Sequence, residues 1–321
     1  MKMEAFVETG SFGLTEGSIY ERLRRHPGVV FDPYLAHAAL IYEPKAASLL
    51  KQVHREYLDV GQSHGLAMFA LTDTWRGNRE RIDRSQFKGT PVNQDNARFL
   101  TQLRDSYGPQ AHPIFVGGNI GPRGDAYKPA EALAPSAAER FHTLQVEALV
   151  EGGVDFLYAS TLPAFSEARG IAAAMAQTGR PYWLSFVIRP EGMLLDGTFL
   201  EHVIETLDAG PKPPQGYAIN CVHPYVFQAG LRAVAKRSPA SVKRIQVFQA
   251  NGSEKSPEEL DGLEELDSVD PENLADLMME CHAEFGTLFM GGCCGTDTSH
   301  IQSLARRTSN ARRLSGYVEK P

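Results

Sequence analysis

Short apolar runs rich in β-branched and aromatic residues recur along the chain. They alternate with longer stretches in which apolar side chains return every three to four positions. The first pattern predicts strands at 5–8, 66–72, 113–117, 154–159, 182–187, 216–220, 244–249 and 287–291, and each is followed by a stretch that reads as helix. The helical stretches carry their own punctuation. Pro44 opens one that ends near Gly61, Pro135-Ser136 opens another that stops at Gly152-Gly153, and Asp270-Pro271 opens one that ends at Gly286. Proline suits a first helical turn and glycine tolerates the conformation that closes a last one.

Eight strand–helix units predict a (β/α)8 TIM barrel, an α/β fold with residues 1–321 as a single domain. A doubly wound open sheet shares the alternation, but it usually has fewer strands, and no glycine-rich phosphate loop follows the first one here. Two segments break the rhythm. Residues 10–43 are too long for an ordinary connection, and residues 251–270 form an acidic stretch whose only basic residue is Lys255. Both fall on the side where strands end, which is where barrel enzymes build their sites. The acidic stretch reads either as a solvated loop or as a lid over substrate.

A hydrophobic share of 42% with 22% charged residues supports a large buried core. The 32 basic residues against 39 acidic ones give a net charge of −7, which repels phosphate backbones and anionic membranes and so argues against both as partners. The chain shows neither a signal-peptide pattern at its start nor an apolar run long enough for a bilayer, and the expected location is the cytoplasm. A homo-oligomer is compatible with the exposed helical ring of a barrel, although no heptad or apolar stripe marks an interface. The sequence contains 4 cysteines, too few for a disulfide framework in so long a chain, which turns attention to metal binding or catalysis.

Three of those cysteines sit at strand ends. Cys221 follows the predicted strand at 216–220, and Cys293-Cys294 follow the one at 287–291. A barrel delivers both ends to one rim, so the three thiolates can share a soft ion such as Zn2+, with a fourth coordination position left for substrate. A thiol entering that position would lose its proton to the cation's field and become a nucleophile at neutral pH. It could then attack a methyl group on a positively charged sulfur or nitrogen. Gly291, Gly292 and Gly295 frame the pair and relax the local backbone. The bland reading is that each cysteine is a small buried hydrophobe, and for Cys281, inside a helical pattern, that is the expected role. His223, two residues past Cys221, is a candidate fourth ligand that would close the site and make it structural.

The segment Gly291-Gly292-Cys293-Cys294-Gly295-Thr296, followed by His300-Ile301 and preceded far upstream by Asn220-Cys221, resembles the zinc motif of the homocysteine S-methyltransferase family. The resemblance runs over nearly the whole chain, through Thr72-Asp73-Thr74, Gly118-Asn119-Ile120-Gly121-Pro122, Ser185-Phe186 and Asn251-Gly252. It implies a zinc-dependent barrel enzyme that moves a methyl group from a sulfonium or betaine donor to homocysteine or a related thiol, with Cys221, Cys293 and Cys294 as ligands. Two positions depart from the family. Glu8-Thr9-Gly10 stands where the family has an acidic residue followed by glycines, and Ser160 stands where it commonly has a glutamate that holds the substrate's amino group. The loss of that carboxylate predicts either a different acceptor or an ammonium contact from Glu8 or Asp73.

The expected substrate-binding set is therefore Glu8, Thr72, Asp73, Ser160 and Asn220, with Asn220 also placed to hydrogen-bond a ligand thiolate. Trp75 is a candidate apolar wall for a cationic methyl donor. Two other functions fit parts of the pattern. A vicinal-cysteine thiol oxidoreductase would use Cys293-Cys294, and a thiol-binding module would capture the acceptor and rely on a partner for the methyl donor.

Overall fold

The computed structural model describes residues 1–255 and 268–314, with side chains to residue 308. Its eight strands are β1 (Gly13–Thr15), β2 (Ala67–Leu71), β3 (Ile114–Ile120), β4 (Phe156–Leu162), β5 (Tyr182–Phe186), β6 (Gly216–Val222), β7 (Ile245–Ala250) and β8 (Phe289–Gly292). They pair in chain order into a closed, fully parallel barrel, with β8 returning to β1 through Gly13 opposite Phe289 and Leu14 opposite Met290. Helices lie between successive strands for most of the circuit, among them Pro44–His64, Pro135–Glu151 and Pro271–Phe285, each with a proline in its first turn. Of the lid reading for residues 251–270, positions 256–267 lie outside the described residues.

The first predicted strand is a correction. Residues 5–8 belong to the helix Met3–Glu8, whose buried Met3, Phe6 and Val7 have the three-and-four spacing of one helical face. Its Phe6 ring packs on Phe115 and Phe289 at centroid separations of 5.4 and 5.5 Å, closing the end of the barrel where strands begin. The strand itself is the three-residue run Gly13–Thr15.

The barrel interior is built in two chemistries by the period-two alternation of its strands. Inward positions near the strand starts are aromatic. Phe69 meets Phe156, Phe289 and Trp183 at 4.0, 5.0 and 5.6 Å, in a cluster that also buries Tyr158, Ala218 and Val247. Two or four residues further along the same strands, the sequence turns polar, with Asn119, Ser160, Ser185, Asn220 and Gln249. A dry base therefore supports a hydrogen-bonding layer just below the rim.

Closure of the ring depends on a missing side chain. A Cβ at Gly291 would stand 2.1 Å from Thr15 Oγ1 and 2.5 Å from the Thr15 carbonyl oxygen. That oxygen belongs to a strand, so it cannot swing aside as the end of a side chain can. Gly291→Ala is expected to destabilise the protein by about 1–3 kcal/mol, read as a lowered Tm. An unchanged Tm would show that β1 is not held against β8 at this point.

Candidate active site

Two strands reach the rim through irregular backbone. The β4–β5 register shifts between Ala159 and Leu162, and the β6–β7 register shifts between Asn220 and Val222. At these bulges Thr161 and Cys221 take φ values of 60° and 56°, conformations that cost a non-glycine residue about 1–3 kcal/mol. Asn220 holds both in place. Its Oδ1 accepts from the Thr161 amide at 3.0 Å and the Ser185 hydroxyl at 2.7 Å, while Nδ2 donates to Thr161 Oγ1 at 2.8 Å. The bulge breaks the alternation that would have sent Cys221 outward, so that it lines the central cavity.

Across the barrel, the chain leaves β8 in a tight turn. The Cys293 amide donates to Ala250 O at 2.7 Å, its carbonyl accepts from Thr296 Oγ1 at 2.7 Å, and Gly295 closes the turn at φ 80°, where glycine avoids a Cβ clash. The Gly252 amide donates to Cys294 O at 2.8 Å. Ser268 Oγ donates to Gly295 O at 2.6 Å and sits 3.2 Å from His300 Nε2. The turn is thus braced from β7, from the chain just before the Pro271–Phe285 helix, and from His300.

These supports bring the Cys221, Cys293 and Cys294 sulfurs within 4.8 Å of one another, a three-ligand group that can hold a metal ion. Cys221 and Cys294 are 3.6 Å apart, close to the edge of a tetrahedron with zinc–sulfur bonds of about 2.3 Å. Cys221 and Cys293 are joined as a disulfide, which must be reduced before both can act as ligands. Asn220 Nδ2 lies 3.8 Å from Cys293 Sγ and is the nearby amide donor for that sulfur. Desolvation pushes the Cys294 thiol up to about 12, so without a cation it stays protonated at neutral pH. A soft, three-sulfur donor set of this kind fits a thiophilic ion.

His223 is not in this group. It caps the helix Pro224–Arg237, its Nδ1 accepting from the Tyr225 amide at 3.4 Å. Cys281 is fully buried in the helix Pro271–Phe285, and burial raises its thiol to about 12, in keeping with a packing role.

The cysteines line a cavity of about 500 Å³ at the rim. A sequence profile of the homocysteine S-methyltransferase family matches residues 14–308, most of the chain and all of the barrel strands but Gly13. The chain belongs to the homocysteine S-methyltransferase family. It is 26% identical to homocysteine S-methyltransferase of Escherichia coli K12 over 95% of this chain and 98% of that one. It is 22% identical to selenocysteine Se-methyltransferase of Brassica oleracea var. italica, covering 97% and 93% of the two chains. In three dimensions it matches the metallated form of the Escherichia coli homocysteine methyltransferase MmuM with a TM-score of 0.75 at 24% identity, covering 94% and 98% of the chains. The family membership makes this barrel an S-methyltransferase.

In this methyltransferase Thr72, Asp73, Ser160 and Asn220 line the same cavity as the three cysteines. Glu8 does not. It is exposed on the Met3–Glu8 helix at the opposite end of the barrel, and the acidic residue that follows β1 is Glu16, with Gly17 after it. The short apolar pair Phe6-Val7 imitates a strand, which is why residues 5–8 mislead. Thr72 Oγ1 is 2.7 Å from Thr74 Oγ1 and accepts from the Asn119 amide at 2.9 Å. Ser160 Oγ donates to Asn119 Oδ1 at 2.7 Å, so the hydroxyl at this position is spent on the neighbouring strand. Trp75 Nε1 donates to Ser160 O at 3.3 Å, and the Arg76 guanidinium already covers its ring at 4.0 Å.

Sequence reasoning missed a buried charge network on the cavity wall. His54, fully buried in the Pro44–His64 helix, places Nδ1 at 2.6 Å from Glu16 Oε1 and Nε2 at 3.0 Å from Asp73 Oδ2. Burial disfavours its charge, but Glu16 and then Asp73 outweigh that and hold the imidazolium up to about 10. Glu16 Oε2 also accepts from the Leu71 amide at 3.0 Å. His37 Nε2 lies 3.4 Å from Asp73 Oδ1, and burial lowers its pKa, so it stays neutral. The 10–43 segment, expected as one long connection, contains β1 itself, and the part after β1 supplies Glu16, Tyr20, Glu21 and His37 to the cavity.

Proposed function

We propose that this enzyme moves a methyl group from a sulfonium or betaine-type donor to a small thiol, homocysteine or a relative of it, and that Cys221, Cys293 and Cys294 hold zinc. The observation that carries the reading is the convergence of those three sulfurs at one cavity of a chain in this family. Zinc held there would supply the positive charge that lowers a thiol's pKa into the neutral range. The protein's own residues do the rest. Asn220 and the two bulged strands fix the ligand geometry. The aromatic base keeps the interior dry on the side away from solvent. Asp73, whose oxygens face His54 and His37, is the carboxylate placed to receive a substrate ammonium where Ser160 offers none, with Thr72 and Asn220 as neutral contacts.

The test is a metal analysis of reduced protein together with an acceptor and donor screen. About one zinc per chain and thiol methylation by S-methylmethionine, S-adenosylmethionine or betaine are expected. Metal-free protein that methylates no thiol with any donor would refute the reading, while thiol binding without transfer would favour a module that depends on a partner. The vicinal oxidoreductase gains nothing from the sulfur pairing, which joins Cys221 to Cys293 and leaves Cys294 free.

A further inference from the structure

We propose that Arg76 is the anion-recognition residue of this cavity and takes the carboxylate of one of the two substrates, an assignment that rests on the methyl-transfer reading. Arg76 lines the same cavity as the three cysteines and Asp73. Its guanidinium lies over Trp75, 4.0 Å from the ring centroid, and among the described residues donates once, from Nη1 to Gly124 O at 2.7 Å. Trp75 is itself pinned by its bond to Ser160 O and by close packing on Gly121, where a Cβ would come within 2.6 Å of the indole. The cation is therefore held in one place before any ligand arrives.

Arg76 differs from several part-buried arginines that are neutralised in place. Arg22, Arg104, Arg237 and Arg244 each meet a carboxylate, on Glu56, Asp155, Glu201 and Asp208. Arg76 forms no ion pair with any described residue. Burial lowers its pKa to about 10, with Arg81 acting in the same direction and Asp125, Tyr20 and Glu131 opposing, so it remains charged at neutral pH. A guanidinium has five N–H donors in a planar fork, and a carboxylate matches that fork with two parallel bonds. The cavity also separates its charges, with Arg76 beside Trp75 and the carboxylates of Glu16 and Asp73 about His54. Such a pattern suits a substrate bearing both an ammonium and a carboxylate.

The carboxylate can come from the acceptor or the donor, and two pairs of probes distinguish them. Homocysteine is compared with its decarboxylated amine analogue, and S-methylmethionine with its own. Binding is followed by calorimetry and by the fluorescence of Trp75 beneath the guanidinium, neither of which needs methyl transfer, and kcat and KM are measured alongside. In one pair the wild type is expected to prefer the carboxylate member by about 10- to 100-fold. Arg76→Gln should erase that preference, raising KM for the carboxylate member with little change in kcat and leaving the analogue unaffected. Arg76→Lys, which keeps the charge but loses the fork, should keep an intermediate preference, and it carries the test if Arg76→Gln does not fold.

No carboxylate preference in either pair, or a preference that survives Arg76→Gln, would overturn the assignment. So would an equal loss of both members of a pair, because that is the signature of Arg76 acting only as a brace for Gly124. Carboxylate-selective binding that depends on Arg76 but yields no methylated product would uphold Arg76 and sink the methyl-transfer reading instead.

Discussion

Cys294→Ser is expected to empty the metal site and to lower methyl transfer on the order of a thousandfold or more, because a hydroxyl is a poor substitute for a thiolate on a soft ion. Cys294 is the informative choice among the three. It lies 3.6 Å from Cys221 yet is outside the Cys221–Cys293 disulfide, so the substitution leaves that pair intact. An enzyme that drew only on Cys221 and Cys293 would keep its activity. An enzyme that needs three sulfurs on one ion would not. Elemental analysis of reduced protein reads the first half, with zinc falling from about one per chain to a small fraction of that. Cys281→Ala serves as the control, since its thiol is buried in a helix away from the cavity and should leave zinc content unchanged. Full zinc in Cys294→Ser with undiminished turnover would end the idea of a shared ion.

The cysteines were legible as far as the shared rim, which topology alone dictates, while the bulge that turns Cys221 into the cavity was not. Once the chain is taken as eight β/α units, the ends of β6 and β8 must share a rim, and residues 72 positions apart become neighbours. The strands from β2 onward were legible for a similar reason, since buried parallel strands are near-continuous apolar runs. β1 was not. Three residues carry too little periodicity to be seen, and the Met3–Glu8 helix just before them presents the apolar run Ala5-Phe6-Val7 of the same length. The error propagated into the site, moving the expected acidic residue from Glu16 to Glu8.

Other parts of the site were hidden for reasons of their own. His54 lies among Leu50, Val53, Tyr57 and Leu58 on the apolar face of its helix, where a histidine reads as core. Its partners are 38 and 19 residues away in sequence, and no local pattern records that separation. The bulges at Thr161 and Cys221 are invisible for the opposite reason, because residues that ordinarily avoid positive φ adopt it there, with Asn220 of β6 bonded across to Thr161 of β4. Arg76 reads in sequence as one more surface cation. Only the fold shows that its guanidinium lines the cavity and forms no ion pair with a described residue.

The largest stability effect is expected from His54. With both ring nitrogens bonded to carboxylates in a buried setting, His54→Gln removes the one positive charge between Glu16 and Asp73 and leaves two acids facing each other across a site of low polarity. Breaking a buried ion pair in this way costs about 3–5 kcal/mol, which urea unfolding would read as a lowered midpoint. The sign of the pH dependence follows from the direction of the shift. The folded protein holds the His54 proton up to about 10, well above the ordinary histidine value of 6.5. The folded state therefore binds a proton that the unfolded chain has released. The stabilisation it provides is complete below about pH 6.5 and declines as the pH rises through 10. The gap between wild type and His54→Gln should accordingly be wide at pH 6 and narrow towards pH 10. An equal gap at both values would mean that His54 is neutral in the folded protein. While the imidazolium persists, the two carboxylates exceed it by a single negative charge on the cavity wall. That residual charge is what a substrate ammonium would meet on reaching Asp73.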